Sequence, residues 1–147
     1  MDRSLIYSWY EQYKNGVFRY ALSILKDPCL AEDVLQDTFV RLLSGDVRCA
    51  EGKEQAWLYR VARNLCYDHL RRAKREQPQE EIPTHWDGSL AYIELISPLS
   101  PTEREIVTLK IVGGLTHREI GSVLGITARA AQKRYERAIR TLRNKED

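Results

Sequence analysis

The sequence predicts an all-α fold: two small helical domains joined by a flexible acidic linker, the second a helix–turn–helix domain. Three observations carry this expectation. Apolar residues recur at three- and four-residue spacing, and no stretch alternates long enough to make a strand. Two Ser/Thr-x-x-Glu capping boxes, Ser100 to Glu103 and Thr116 to Glu119, open helices in the last third of the chain. Charge is segregated: residues 1–76 carry 13 basic and 11 acidic side chains, 77–98 carry 4 acidic and no basic ones, and 99–147 carry 10 basic and 6 acidic. Residues 1–76 and 99–147 are therefore the expected domains, and 77–98 the connector.

The first helix is expected from Ser4 to Lys26, with Leu5, Trp9 and Tyr13 on one face and Phe18, Leu22 and Leu25 continuing it. Asn15-Gly16 is a candidate break. Asp27-Pro28 ends this helix and caps the next. In "LAEDVLQDTFVRLL" (30–43), Val34, Leu35, Thr38, Phe39, Leu42 and Leu43 form the apolar stripe; Glu32, Asp33, Gln36 and Asp37 lie opposite. A loop at 44–53 follows.

"EQAWLYRVARNLCYDHLRRAKRE" (54–76) places Trp57, Leu58, Val61, Ala62, Leu65 and His69 on the core period. Arg60, Arg63, Asn64, Tyr67, Arg71, Lys74 and Arg75 line the other face. Tyr59 and Tyr67 are expected exposed, and Trp57 in the core. Aromatic platforms beside a cationic track suit unpaired bases and their backbone. "QPQEEIPTHWDG" has no period and reads as linker; "SLAYIELI" has the makings of a short helix.

The last segment, "LTHREIGSVLGITARAAQKRYERAIRTLR" (115–143), reads as two helices around a tight turn. Gly121 permits close approach, and Gly125 suits a left-handed turn backbone. Ile120, Leu124 and Ile126 supply the small core. On the final helix Ala131, Tyr135, Ala138 and Leu142 face inward, whereas Arg129, Gln132, Lys133, Glu136, Arg137 and Arg140 face outward. Residues 126–145 hold seven basic side chains against one acidic. Such a helix fits a major groove, Arg forking onto guanine and Gln onto adenine, with later arginines on phosphates.

Other chemistry finds little support. Cys29, Cys49 and Cys66 form no C-x-x-C pair, and Cys66/His69 lacks a second ligand pair, so neither a disulfide framework nor a metal is expected. No nucleophile–base pair or phosphate loop stands out, so no enzyme activity and no cofactor are expected. No run of eighteen apolar residues spans a membrane, and the first residues lack a signal pattern; the expected location is the cytoplasm, without membrane insertion.

In order, "AEDVLQDTFVRLL", "WLYRVARNLCYDHLRRAKR" and "LSPTEREIVTLKIVGGLTHREIGSVLGIT" resemble the extracytoplasmic-function (ECF) sigma factors of bacterial RNA polymerase, over about residues 5–143. The resemblance implies a dissociable specificity subunit that directs core polymerase to promoters and helps open the −10 region. Its partners would be core polymerase, through the clamp and flap of the large subunits, promoter DNA, and an anti-sigma factor.

Carried over by residue, Asp33, Gln36, Asp37 and Phe39 would bind core polymerase, although Phe39 falls on the apolar stripe. Asn64, Asp68, Arg71 and Arg72 match the family's run in the −10 helix; with Arg48, in the loop that would capture a flipped base, and Tyr59, Arg60, Arg63, Tyr67 and Arg75 of the basic strip, they make the −10 set. Arg134 and Arg137 match basic positions of the family's −35 helix; with Thr116, Thr127, Arg129, Gln132, Lys133 and Arg140 they make the −35 set. The family often carries a small residue and then Thr-Val-Lys-Ser-Arg in the reading helix. This chain has Arg129-Ala130-Ala131-Gln132-Lys133-Arg134, which implies a different −35 sequence. The acidic linker, with Glu80 and Glu81, would thread the RNA exit path. Two other classes share these residues: a dimeric helix–turn–helix regulator, and a decoy that holds polymerase without reading DNA.

Overall fold

The computed structural model describes residues 3–44, 52–73 and 88–146. Among them all regular structure is helical: α1 (Arg3–Leu25), α2 (Pro28–Leu43), α3 (Glu54–Ala73), α4 (Ser89–Ile96), α5 (Pro101–Val107), α6 (His117–Leu124) and α7 (Ala128–Glu146), with a π-helical turn at Thr108–Val112 after α5. α1, α2 and α3 pack on one another as one cluster. α4 to α7 form the second, in which α5 and α6 both lie against α7. Arg48, Arg75, Lys74, Glu80 and Glu81 lie outside the described residues.

The helix starts follow from their caps. The Asp27 carboxylate accepts from the Cys29 and Leu30 amides, and Pro28 takes the first turn of α2. Ser100 and Thr116 each complete a reciprocal capping box, with Glu103 and Glu119. Each such cap satisfies amides that the helix itself cannot, and contributes about 1 kcal/mol. Thr127 Oγ1 accepts from the Ala130 amide at the start of α7.

α1 runs unbroken through Asn15-Gly16. Trp9 on one side and Val17 and Phe18 on the other are buried, so packing outweighs the local weakness. Gly16 is needed for space: a Cβ there would run into the Tyr59 hydroxyl. Two expected core residues are exposed instead, Leu5 at 43% and Leu43 at 56%. Ile6 takes the inward place near the start of α1, and the stripe of α2 ends at Leu42.

The buried arc of α3 is Leu58, Tyr59, Ala62, Leu65 and Cys66. Trp57, Val61 and His69 are only half-buried. The shift has a physical cause: α3 is covered by α1 and α2 on one side and by α6 on another, so its apolar arc is rotated towards the second cluster. The core is accordingly continuous across both clusters. It runs from Ile6 and Val34 through Tyr20 and Tyr59 to Ile106, Leu109 and Ile120.

Candidate nucleic-acid and polymerase interface

The turn between α6 and α7 is built as the sequence implies. Gly125 closes α6 in the left-handed region at φ 74°. A Cβ on Gly121 would stand 2.5 Å from the Ile126 carbonyl oxygen, so only glycine lets α6 meet the chain entering α7 this closely. Ala131 and Ala138 are fully buried and Tyr135 and Leu142 half-buried. Arg129, Gln132, Lys133, Arg134, Arg137 and Arg140 are all exposed. Gln132 donates to Glu136 at 3.3 Å, which orders one turn of this face. Thr116 and Thr127 are exposed but also serve as caps.

On α2, Asp33, Gln36 and Asp37 are exposed along one side, next to exposed Val40. Phe39 is 5% exposed and stands edge-on to Tyr10 at 5.1 Å between ring centroids. It supports this helix from below and presents no contact surface of its own.

The strip on α3 is divided. Arg60, Asn64, Arg71 and Arg72 are exposed, and Asp68 pairs with Arg71. Tyr59 departs from its expected exposure: it is 1% exposed, packed edge-on against Tyr20 at 5.4 Å. Burial pushes its phenol up to about 12. A ring so enclosed offers no platform to a base.

Arg63 and Tyr67 point at the second cluster. Glu105, on α5, is 2% exposed and accepts three hydrogen bonds. Its Oε1 takes the Tyr20 hydroxyl at 2.6 Å and Arg63 Nε at 2.9 Å; its Oε2 takes the Tyr67 hydroxyl at 2.7 Å. The Arg63 guanidinium also stacks on the Tyr67 ring, 4.7 Å from its centroid. Burial and then the Glu105 charge hold the Tyr20 phenol well above its ordinary value. Burial and the Glu105 hydrogen bond push Tyr67 up to about 12. Partial burial works to lower the Arg63 pKa, but the Glu105 charge, its hydrogen bond and the two tyrosines together raise the value. A buried carboxylate with a cation and two hydroxyls as donors is a satisfied one.

Further contacts join α3 to the second cluster. Arg60 donates to the Ser122 hydroxyl at 2.5 Å, and Gln55 Nε2 donates to the Gly113 carbonyl at 2.5 Å. Glu105 escaped the sequence reading because it sits in "SPTERE", a charged helix start. One signal was present: Glu105 shares a helical face with Leu109, four residues on, which is fully buried.

Cys66 is fully buried; burial and then the Glu105 charge push its thiol far up, so it stays protonated and is a poor nucleophile. Among the described residues, no group of three or more His, Cys, Asp or Glu is placed to hold a metal ion. No described helix is long and apolar enough to cross a membrane.

Comparison with known proteins gives this geometry a family. Residues 9–76 match sigma-70 region 2, and residues 89–142 match sigma-70 region 4. The ECF RNA polymerase sigma factor SigM of Bacillus subtilis (strain 168) is 31% identical over 131 residues, which cover 80% of this chain and 80% of that protein. The ECF sigma factor BldN of Streptomyces coelicolor is 29% identical, over 90% of this chain but 57% of that protein. For SigE of Mycolicibacterium smegmatis the figures are 28%, 97% and 63%. The fold is that of the sigma factor RpoE, solved in complex with the anti-sigma factor NepR from Bartonella quintana, with a TM-score of 0.74 at 20% identity over 93% of each chain. It is equally that of CnrH in complex with the cytosolic domain of CnrY, with a TM-score of 0.74 at 23% identity over 97% of this chain and 88% of that one. The chain belongs to the extracytoplasmic-function sigma factors of the sigma-70 family, the non-catalytic subunits that direct RNA polymerase to promoters.

Proposed function

We propose that the two clusters divide promoter recognition between them. α7 enters the major groove at the −35 element, with Arg129, Gln132 and Lys133 on base edges and Arg134, Arg137 and Arg140 on phosphates. The α3 strip, with Arg60, Arg63, Asn64, Tyr67, Asp68, Arg71 and Arg72, takes the −10 element, and helps melting by holding unstacked bases. Arg48 and Arg75 belong to the same reading from outside the described residues. Asp33, Gln36 and Asp37 dock on the polymerase clamp, supported by Phe39, and the second cluster meets the flap.

The observation that carries this reading is the exposed cationic face of α7 on a capped, glycine-tightened helix–turn–helix. Binding to core polymerase would fix both readers at promoter spacing and raise the effective concentration at the second site. The working place is the cytoplasm. An anti-sigma factor is the expected inhibitor, as the related fold of RpoE was solved with one.

The test is binding of the purified chain to purified core polymerase, with Asp33→Ala plus Gln36→Ala as control. Tight binding that the double variant loses supports the clamp assignment. Tight binding that the variant keeps refutes that assignment alone. A folded chain that does not bind core polymerase would favour a dimeric regulator.

A further inference from the structure

We propose that Glu136 is a specificity-determining residue of the −35 reader: it holds the Gln132 side-chain amide in the one orientation that accepts adenine and rejects guanine. The inference rests on the assignment of α7 to the −35 major groove.

Two observations single out Glu136. It is the one acidic residue among 126–145, and it is exposed on the same face as Arg129, Lys133, Arg137 and Arg140, where a carboxylate repels phosphates. Lys133 and Arg140 lie three residues before it and four after it, within reach on a helix. Among the described residues Glu136 nevertheless makes no ion pair. Its partner is neutral: Gln132 Nε2 donates to Glu136 Oε1 at 3.3 Å. Charge neutralisation would draw the carboxylate to a cation; it serves the amide instead.

The pairing fixes the amide. An ionised carboxylate only accepts, so Gln132 must turn Nε2 to Glu136 and leave its own Oε1 free. One Nε2 hydrogen is taken and one remains. Gln132 therefore offers a base one acceptor and one donor, in a fixed order. Adenine presents the complement in the major groove, an N6 amine and the N7 acceptor. Guanine presents two acceptors, O6 and N7. A free glutamine amide can meet guanine by turning both N–H groups to it. With one N–H held by Glu136, the amide oxygen would face guanine O6, acceptor against acceptor. Rejection comes from that repulsive arrangement and from the hydrogen bond left unmade. Docking strengthens the hold, since a groove that excludes water removes the solvent competing for both groups.

The polymerase-bound full chain tests this on a pool of random-sequence duplex DNA, selected at one salt concentration because affinity depends steeply on salt. Sequencing the bound fraction gives the base preference at every position of the −35 motif. One position is expected to prefer adenine over guanine by about tenfold or more, the discrimination of a single bidentate contact. Gln132→Ala identifies that position by abolishing its preference. Glu136→Ala is expected to lower the preference there to about threefold or less, and to leave the other positions unchanged. Glu136→Asp keeps a carboxylate in a Gln–Asp pair of the same spacing, and is expected to restore adenine. Alanine is the best helix former, so Glu136→Ala keeps α7, which circular dichroism verifies. A merely structural role would move all positions together.

Full adenine preference in Glu136→Ala overturns the positioning role. Relaxation at a different base pair also overturns it, and makes Glu136 a reader in its own right, accepting from cytosine N4. A Gln132-dependent position that prefers another base overturns the adenine reading. Failure of the −35 assignment reads differently and overturns both: Gln132→Ala then changes no base preference, and the Glu136 variants are silent with it.

Discussion

The Tyr67 hydroxyl donates to Glu105 at 2.7 Å, across 38 positions of sequence and from one helical cluster to the other. Tyr67 lies on the face of α3 that carries the basic strip. Glu105 lies on α5, at the base of the helix–turn–helix cluster. One carboxylate thereby ties the two clusters together.

Removing a single donor tests the strength of that tie. Tyr20→Phe deletes the hydroxyl that Glu105 Oε1 accepts at 2.6 Å, and keeps the ring against Tyr59. A hydrogen bond to a charged acceptor contributes about 2 kcal/mol. Thermal unfolding followed by circular dichroism should show a melting temperature lower by roughly 6 °C, at about 3 °C per kcal/mol for a chain of this size.

Gly121→Ala should damage the helix–turn–helix more than its one methyl suggests. The added Cβ would stand 2.5 Å from the Ile126 carbonyl oxygen, a backbone atom that cannot swing aside. The expected loss is about 1–3 kcal/mol, as for overpacking a tight contact. Sequence-specific −35 binding by the polymerase-bound chain should weaken with it. A folded Gly121→Ala chain of wild-type stability would show that the turn has slack.

On α7, Arg129→Ala plus Lys133→Ala should weaken promoter binding by the polymerase-bound chain. If both side chains reach phosphates, the slope of log affinity against log salt falls by about 1.8. If both read base edges, as proposed, the slope stays nearly unchanged and discrimination relaxes at the base pairs they touch. Unchanged affinity would favour a decoy that does not read DNA.

Alkaline titration should reveal the shared core. The Tyr59 phenol is pushed from 10.0 to about 12 by burial. The folded chain therefore keeps a proton that the unfolded chain has released. That stabilisation is complete below pH 10 and is lost as pH rises through about 12, a total of about 2–3 kcal/mol. Tyr67 is shifted in the same direction to about 12, and its share is smaller because it is half-buried. Phenolate absorbance should show Tyr20, Tyr59 and Tyr67 ionising last, together with unfolding. Their titration near pH 10 in a folded chain would contradict the packing.

Much of the fold is local, and so was legible. Asp27-Pro28, Ser100 to Glu103 and Thr116 to Glu119 announce helix starts, since a cap needs only residues within one turn. Gly121 and Gly125 announce the tight turn. The exposed face of α7 follows from its 3.6-residue period, because one side of that helix meets water along its length.

The errors also have a pattern. Tyr59 was expected outside and is buried, Leu5 and Leu43 were expected inside and are exposed, and α1 continues through Asn15-Gly16. Each depends on what a distant element covers. Periodicity finds that a helix has an apolar side, but not how wide that side becomes once a second cluster leans on it.

The sequence by itself determined the helices, their caps, the helix–turn–helix and the family to which its three motifs point, because propensity, capping and amphipathic period act over a few residues. Only the tertiary structure decided that Arg63 and Tyr67 share the Glu105 carboxylate with Tyr20. Burying a charge is costly unless its donors arrive together, and these donors come from position 20 on α1 and positions 63 and 67 on α3, all far from residue 105 in the chain and beside it only after α1 and α3 have packed against α5.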